Sequence, residues 1–267
     1  MTLIETDSFS SNKKVIRQSE LMRLIEINHF LSLEEIAERF SITTQTARRD
    51  IAELEQRGKV RKLHGGAALA TPLDPGTYKQ RRTDRADEKA RIANRVAELV
   101  PDGATIFLDT GTTCEAIAHA LIAKARLHIV TYSLRSAAII NENTDFTLAV
   151  PGGFVRAVDG GMFQEGTPDF IRRFKFDYAI ISVSGVDHDG DLCDDDHTEV
   201  AVVSCALRQS ACKVLAVDST KFGKGAMVRL GSVADVDVLI SDRPPPPALN
   251  EKFEDQGVQV MLAGSGP

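Results

Sequence analysis

No apolar run in this chain approaches the ~20 residues that a membrane-spanning helix needs. Its opening stretch, MTLIETDSFSSNKK, lacks the cationic start and apolar block of a secretory signal. A cytoplasmic protein with no membrane partner is therefore expected. Cysteine is scarce: Cys114, Cys193, Cys205 and Cys212 form no CxxC pair and have no histidine at ligand spacing. They read as reduced packing residues, which argues against a disulfide scaffold and gives no metal site. A net charge of −6 excludes a protein that coats nucleic acid by bulk charge. What is present is ordinary for a globular protein, 43% hydrophobic and 26% charged over 267 residues, enough for one or two domains with a real core.

The charge is unevenly spread. Residues 13–64 hold eleven basic and eight acidic side chains, a surplus of three, so the remainder carries −9. A locally basic module on an acidic body suits DNA binding at one end only. Residues 1–12 read as disordered. A first helix is expected over about Val15–Asn28, with Leu21, Leu24 and Ile25 on one face, followed by a strand fragment at Phe30-Leu31. Ser32 and Glu35 have the S-x-x-E spacing of a capping box and open a second helix whose stripe is Leu33, Ile36, Ala37 and Phe40. After the short turn Ser41-Ile42-Thr43, a third helix runs to Arg57, capped by Thr43 or Thr44. Ala47, Ile51 and Leu54 form its apolar stripe. The opposite face carries Gln45, Thr46, Arg48, Arg49 and Glu53. Arginine can make two bonds to guanine and glutamine two to adenine, while threonine and arginine also hold phosphates. Gly58 supplies a helix end. The basic run Lys59–His64, closed by Gly65-Gly66, reads as a hairpin that sets Arg61, Lys62 and His64 beside the phosphates or in the minor groove. The expected nucleic-acid set is therefore Thr43, Thr44, Gln45, Thr46, Arg48, Arg49, Arg61, Lys62 and His64.

These features divide the chain into a winged helix-turn-helix over 13–67, a linker over 68–87 with Pro72, Pro75 and Gly76, and an α/β body over 88–267. In the linker, Arg81, Arg82 and Arg85 either meet acidic groups or stay exposed. From about Asp87 helices and apolar strands alternate: strands at 104–109, 127–131, 146–150, 177–185, 213–218, 236–241 and 258–262, with helices at 113–124, 134–141, 165–173 and 199–209 between them. Apolar runs without alternation imply strands covered on both faces, hence a mainly parallel sheet between helices. Pro244–Pro247 reads as a rigid elbow between the last two strands.

Ligands of such sheets bind beyond the carboxyl ends of the strands. Asp109-Thr110-Gly111-Thr112-Thr113 joins a strand to a helix there, offering close backbone approach, hydroxyls and a helix N-terminus that attracts an anion. Gly152 and Gly153 follow the next strand end but one, Ser184, Gly185 and Asp187 end another, and Lys221 brings a cation to the same rim. Glu199 opens a helix facing that rim and either touches a ligand or offsets the helix dipole. Asp194–Asp196 reads as a solvated acidic turn, with Mg²⁺ attraction as the alternative. No carboxylates have a spacing that makes an acid/base pair, so no catalytic residue is assigned.

At this point a resemblance is visible. SLEEIAERF and TARRDIAELEQRGKVRKLHGGA resemble the DNA-binding domain of DeoR-family bacterial regulators. The motifs DTGTT, PGG, SVSGVD and DSTKFG resemble that family's sensor domain, in the family's order, over roughly residues 17–262. The resemblance implies a sensor like ribose-5-phosphate isomerase and CoA transferases. It implies a repressor of carbohydrate or polyol catabolism that binds double-stranded operator DNA as a homodimer or homotetramer. Its effector would be a phosphorylated sugar or polyol, glycerol 3-phosphate or another, with no cofactor. The family often has proline where Thr44 stands. The alternative is a phosphosugar isomerase or hydrolase built on the body, which would leave the DNA-binding module without a purpose.

Overall fold

The computed structural model describes residues 5–28, 30–57, 59–63, 65–69 and 75–264. The described chain divides into two compact units, with the boundary between Asp84 and Arg85. In the first unit, helix α1 (Glu5–Asn28) leads to a short strand β1 (Phe30–Ser32), α2 (Leu33–Arg39), α3 (Thr44–Gln56), and the hairpin β2 (Val60–Leu63) and β3 (Gly66–Leu69). Strand β3 lies between β1 and β2, antiparallel to both, so the strand fragment at Phe30 becomes the third strand of the wing sheet. Helix α4 (Pro75–Thr83) follows.

Three expectations need correction here. The segment read as disordered is helical from Glu5 onward, because α1 runs continuously into the packed part of the helix. The segment read as a linker contains the end of β3 and the whole of α4; its lack of an apolar stripe hid a helix rich in good helix formers such as Gln80, Arg81 and Arg82. Glu53 does not face outward with the arginines. It accepts hydrogen bonds from Lys14 (2.6 Å) and Gln18 (3.1 Å) of α1. Gly58, His64 and Pro72 lie outside the described residues.

The core of this unit is the expected stripes brought together: Leu21, Leu24 and Ile25 of α1, Leu33 and Ile36 of α2, and Ala47, Ile51 and Leu54 of α3, closed by Val60 and Ala67. The Ser32–Glu35 capping box is formed on both sides. The turn into α3 is fixed by a Schellman arrangement: Ile42 N–H bonds to the Ala37 carbonyl (2.9 Å) and Ser41 N–H to that of Glu38 (3.1 Å). Ser41 takes the left-handed conformation, φ 50°, that this motif requires. A polar lock adds to the apolar core. Asp50 of α3, 2% exposed, accepts from Arg17 Nε (2.6 Å) and from Gln18 Nε2 (3.1 Å).

The second unit begins with α5 (Ala86–Leu99) and alternates as expected: β4 (Thr105–Leu108), α6 (Thr112–Leu121), β5 (His128–Thr131), α7 (Leu134–Asn143) and β6 (Thr147–Ala149). The hairpin β7 (Phe154–Val155) and β8 (Met162–Phe163) and helix α8 (Thr167–Ile171) lead to β9 (Phe176–Ile181). Then come β10 (Gly185–Val186), β11 (Asp191–Asp194), α9 (His197–Arg208), β12 (Ser210–Ala216), β13 (Val228–Ser232), β14 (Val238–Ser241), α10 (Pro247–Asp255) and β15 (Gln259–Leu262). Seven strands form one parallel sheet in the order β15-β14-β12-β9-β4-β5-β6. Side chains alternate between its faces. Phe107, Ala179, Ile181, Leu215 and Leu239 pack with Val202, Ala206 and Phe253 of α9 and α10. Ile106, Leu108, Ile180, Val214 and Ile240 pack with Ile92, Val96, Ile117 and Ile140 of α5, α6 and α7.

The single strand expected over 177–185 is broken. It leaves the sheet after Ile181, and Gly185-Val186 joins a separate antiparallel sheet, β10-β11-β13. The proline run ends differently from the expected elbow, since Pro247 is the first residue of α10, where a preset φ favours helix initiation. Cys114, Cys193 and Cys205 are buried thiols, as expected of packing residues.

Because Asp50 is buried and holds Arg17 and Gln18 at once, Asp50→Ala strips Arg17 of its carboxylate and Gln18 of one of its two acceptors, and should destabilise the N-terminal unit by about 2–4 kcal/mol. A thermal melt of the full chain should show the N-terminal transition lowered. A melt unchanged from wild type would mean that the apolar core alone holds α1 against α3.

Candidate functional site

Two surfaces of distinct chemistry emerge, one on each unit. On the first, Thr43 caps α3 by accepting from Thr46 N–H (3.1 Å), and the two hydroxyls lie 3.0 Å apart. Thr44 is the first helical residue, where it needs no proline. Thr43, Thr44, Gln45, Arg48 and Arg49 are exposed and Thr46 is half-buried, while Ala47, Asp50, Ile51 and Leu54 on the other side are buried. The helix therefore offers one polar, cationic face and keeps nothing of it for its own core. Lys62 on β2 is also exposed, and its backbone N–H donates to Glu55 of α3 (2.8 Å), which ties the wing to the helix. Arg61 holds the neighbouring position of β2, its side chain outside the described set. Among the described residues no helix is long and apolar enough to cross a membrane.

On the second unit the strand order reverses between β4 and β9. The chain moves from β4 outward through β5 and β6, then returns to the other side of β4 as β9. A crevice opens at the carboxyl ends of strands at such a point. Asp109, just past β4 and 3% exposed, stands there. It accepts from the Tyr132 hydroxyl beyond β5, from Thr110 N–H (2.8 Å) and from Ser182 N–H (3.2 Å) beyond β9. Gly111 then takes φ 109°, a conformation closed to residues with a side chain, and starts α6 with no side-chain cap. The first-turn N–H groups of α6 are thus left for an incoming acceptor. Beside them the Thr110 hydroxyl is buried without a hydrogen-bond partner. Thr112 is half-buried and Thr113 buried.

The opposite wall is acidic. Asp194 at the end of β11 accepts from the Ser184 hydroxyl (3.1 Å), and the charge of Lys221 acts on it favourably. Glu199 in the first turn of α9 and Asp196 at its N-cap both receive Arg156, the latter at 2.6 Å, and Arg156 also clasps Asp159. The guanidinium lies 4.8 Å from the centre of the Phe163 ring, which in turn packs on Tyr132. The structure therefore brings Asp109, Thr110, Gly111, Thr112, Thr113, Ser184, Glu199 and Lys221 to one rim.

Other expected residues have different surroundings. Gly152 and Gly153 are exposed at the start of the β7–β8 hairpin, and a Cβ on Gly153 would come within 2.9 Å of Phe163 O and Gln164. Gly185 lies directly beneath the Lys224 carbonyl with no room for a Cβ. Asp187 accepts from the N–H groups of Asp189 and Asp191 (2.9 Å each) and shapes the β10–β11 turn. Of the three aspartates read as a solvated turn, Asp194 accepts from Ser184 and from the Asp195 N–H (2.7 Å), and Asp196 caps α9 and receives Arg156. Arg156, Tyr132 and Asp159 carry much of this rim and were missed by sequence reasoning. Arg156 lies in a loop with no motif around it; only a lone cation directly after an apolar Phe-Val pair marks it.

Burial dominates the titration of the rim. It pushes Asp109 up to about 7 against three hydrogen bonds that favour the charged form. It pushes Glu199 up to about 8, with Asp194 adding repulsion and Arg156 opposing. Both groups hold a proton more tightly folded than unfolded, so their contribution to stability is complete below pH ~4 and is lost as pH rises through 7 to 8. Wild-type protein should lose melting temperature between pH 6 and 9, and Asp109→Asn should lose less over the same range. Equal slopes in the two proteins would remove Asp109 from the titrating set.

Comparison with known proteins identifies both units. Residues 17–72 match the family model described as the DeoR-like helix-turn-helix domain, and residues 84–243 match the DeoR C terminal sensor domain. The chain is 39% identical over 250 residues to the glycerol-3-phosphate regulon repressor of Escherichia coli K12, covering 94% of this chain and 99% of that one. It is 36% identical to the transcriptional repressor CsqR of the same organism, with 92% and 94% covered. Among solved structures, ribose 5-phosphate isomerase A of Methanocaldococcus jannaschii overlaps 52% of this chain and 55% of its own at 16% identity and a TM-score of 0.39. With both units matched in order and a relative at 39% identity over nearly its whole length, the chain belongs to the DeoR family of regulators.

Proposed function

We propose that this protein is a transcriptional repressor whose α3 reads operator DNA in the major groove. Its α/β body releases the DNA on binding a phosphorylated sugar or polyol. The observation that carries the reading is the exposed Gln45–Arg48–Arg49 face of a helix whose other side is wholly buried. Relatives that match 94% and 92% of this chain are named as repressors, in support of a regulator rather than an enzyme. The rim carboxylates support the same choice. Asp109 is consumed by three hydrogen bonds and Glu199 by Arg156, leaving neither placed as a general base.

The effector's phosphate would sit on the N-terminus of α6, held by its backbone N–H groups, the Thr110 and Thr112 hydroxyls and Lys221. Its hydroxyls would meet Asp194 and Ser184. The E. coli relative is named for a glycerol-3-phosphate regulon, which makes glycerol 3-phosphate the first effector to test. Two copies would bind half-sites about one helical turn apart, as a twofold protein does, in a soluble cytoplasmic homodimer or homotetramer. Linkage then requires that DNA weaken effector binding by the same factor as effector weakens DNA binding, typically about 5–150-fold.

Operator fragments selected from random DNA by the protein itself provide the test. In fluorescence anisotropy, Gln45→Ala and Arg48→Ala should each lose about 1–3 kcal/mol on selected sites and little on random DNA. Lys62→Ala should weaken both equally and flatten the salt dependence by about one unit. Equal losses on both DNAs from the α3 substitutions would end the base-reading assignment.

For the body, Thr112→Val combined with Lys221→Ala should abolish release by glycerol 3-phosphate or by any active member of a sugar-phosphate panel, with operator affinity kept. A double variant that still lets go of DNA normally places the pocket elsewhere.

A further inference from the structure

The loop that carries Lys221 is bound to a second feature, the residue at which the second unit begins. Arg85, the first residue after the boundary between the units, is one of three non-glycine residues with left-handed backbone among those described, at φ 54°. It is the N-cap of α5 yet makes no side-chain cap. Instead its guanidinium reaches across the C-terminal rim. Nη2 donates to Asp242 Oδ2 (2.8 Å) and Ser219 Oγ (3.3 Å), Nε lies 3.6 Å from Asp218 Oδ1, and Glu88 closes the far side at 3.2 Å. Asp242 in turn accepts from Ser219 N–H (2.6 Å) and Ser219 Oγ (3.2 Å), with exposed Arg243 at 3.9 Å. Asp218 caps the short turn Ser219–Lys221 by accepting from Thr220 N–H (3.0 Å).

The carboxylates of Asp242 and Asp218 are 1% and 5% exposed. Buried charges of this kind do not tolerate the loss of a partner. If the Ser219–Lys221 turn shifts, the hydrogen bonds at Asp242 shift with it and Arg85 must follow. A non-glycine residue held at φ 54° has a discrete alternative available, the ordinary right-handed or extended region. A change there alters the backbone that leads into α5.

We propose that Arg85 is the coupling residue of this regulator. As a positioning residue outside both binding surfaces, it converts the state of the Asp218–Lys221 loop into a backbone change at the boundary between the two units. This inference rests on the reading that Lys221 belongs to the effector pocket.

The test uses the full-length chain. Arg85→Gly keeps the left-handed backbone and removes the guanidinium; Arg85→Lys keeps the charge without the fork. In wild type, glycerol 3-phosphate at saturation should weaken binding to a selected operator by about 5–150-fold. Arg85→Gly should bind the operator alone within about threefold of wild type, while the weakening at saturating glycerol 3-phosphate falls below about twofold. A merely structural role would lower the operator affinity and leave the coupling. Retained coupling in a folded Arg85→Gly protein overturns the proposal. Should that variant fail to fold, Arg85→Lys decides the matter: coupling cut at least threefold supports it and unchanged coupling rejects it. Ligand-free hydrogen exchange separates this inference from the effector reading. If no phosphate in the panel affects wild type, the pocket assignment fails. The tie itself is then judged by the Ser219 amide and residues 84–89, whose exchange should quicken together in Arg85→Gly and whose unchanged exchange would overturn the tie.

Discussion

A single buried carboxylate holds the working end of the α/β unit together. Asp109 accepts hydrogen bonds from groups that follow three adjacent strands, Thr110 after β4, Tyr132 after β5 and Ser182 after β9. Those strands meet where the sheet's connectivity reverses, and parallel strands have no hairpins to fix their ends against one another. Without such a clasp the loops beyond β4 and β9 would be joined only through the sheet below them. With it, the Thr110–Gly111 turn is fixed in the one conformation that leaves the N-terminus of α6 uncapped and facing the crevice. The cost is a carboxylate under desolvation, which three donors offset only in part.

The first unit solves a similar problem with similar means. A helix that must offer its polar face to another molecule can be held only from behind, and the α3 stripe of Ala47, Ile51 and Leu54 is short. Asp50, Glu53 and their partners on α1 extend that hold without encroaching on the exposed face. Lys62 N–H on Glu55 adds a tie from the wing. Acidic residues interleaved with the arginines of this helix thus have a mechanical purpose. They spend their charge on neighbouring elements, so that it does not oppose the cationic face.

Much of this was legible before any coordinates. Periodicity located α2, α3 and the seven strands of the parallel sheet, because burial on one side or on both leaves a direct mark on residue spacing. The Ser32–Glu35 box was legible because a cap needs particular residue types at a fixed offset, and the Asp109–Thr113 turn because a strand-to-helix turn at positive φ needs a glycine. What escaped was whatever depends on distant pairing. Glu53 looked like surface because its partner lies 39 residues away in α1. Helix α4 was hidden by having no apolar stripe, and Gly185-Val186 looked like the continuation of β9 because hydrophobicity does not report where a strand leaves its sheet. Arg156 is the extreme case. Its three carboxylate partners come from its own loop and from α9, 40 and 43 residues on, and no local pattern announces them.

That same arginine constrains how the rim can recognise an anion. Arg156 is already matched by Asp159, Asp196 and Glu199, and the charge of Lys221 is felt by Asp194. Taken as formal charges, the rim has no cationic surplus with which to draw in a phosphate. On the proposed reading, Lys221 would then act with directed donors: the backbone N–H groups at the uncapped start of α6 and the partnerless Thr110 hydroxyl beside them. Donors of that kind favour a phosphate by geometry and discriminate poorly against distance, so the acidic wall acquires a purpose. Carboxylates accept from hydroxyl groups and repel a second anionic charge. On the proposed reading, a rim built in this way would favour a ligand with one phosphate and neutral hydroxyls over a bisphosphate or a phosphorylated acid. Such a selection would rest on Asp194 and Asp109 keeping their places, which ties the proposed effector chemistry to the same buried clasp that holds β4, β5 and β9.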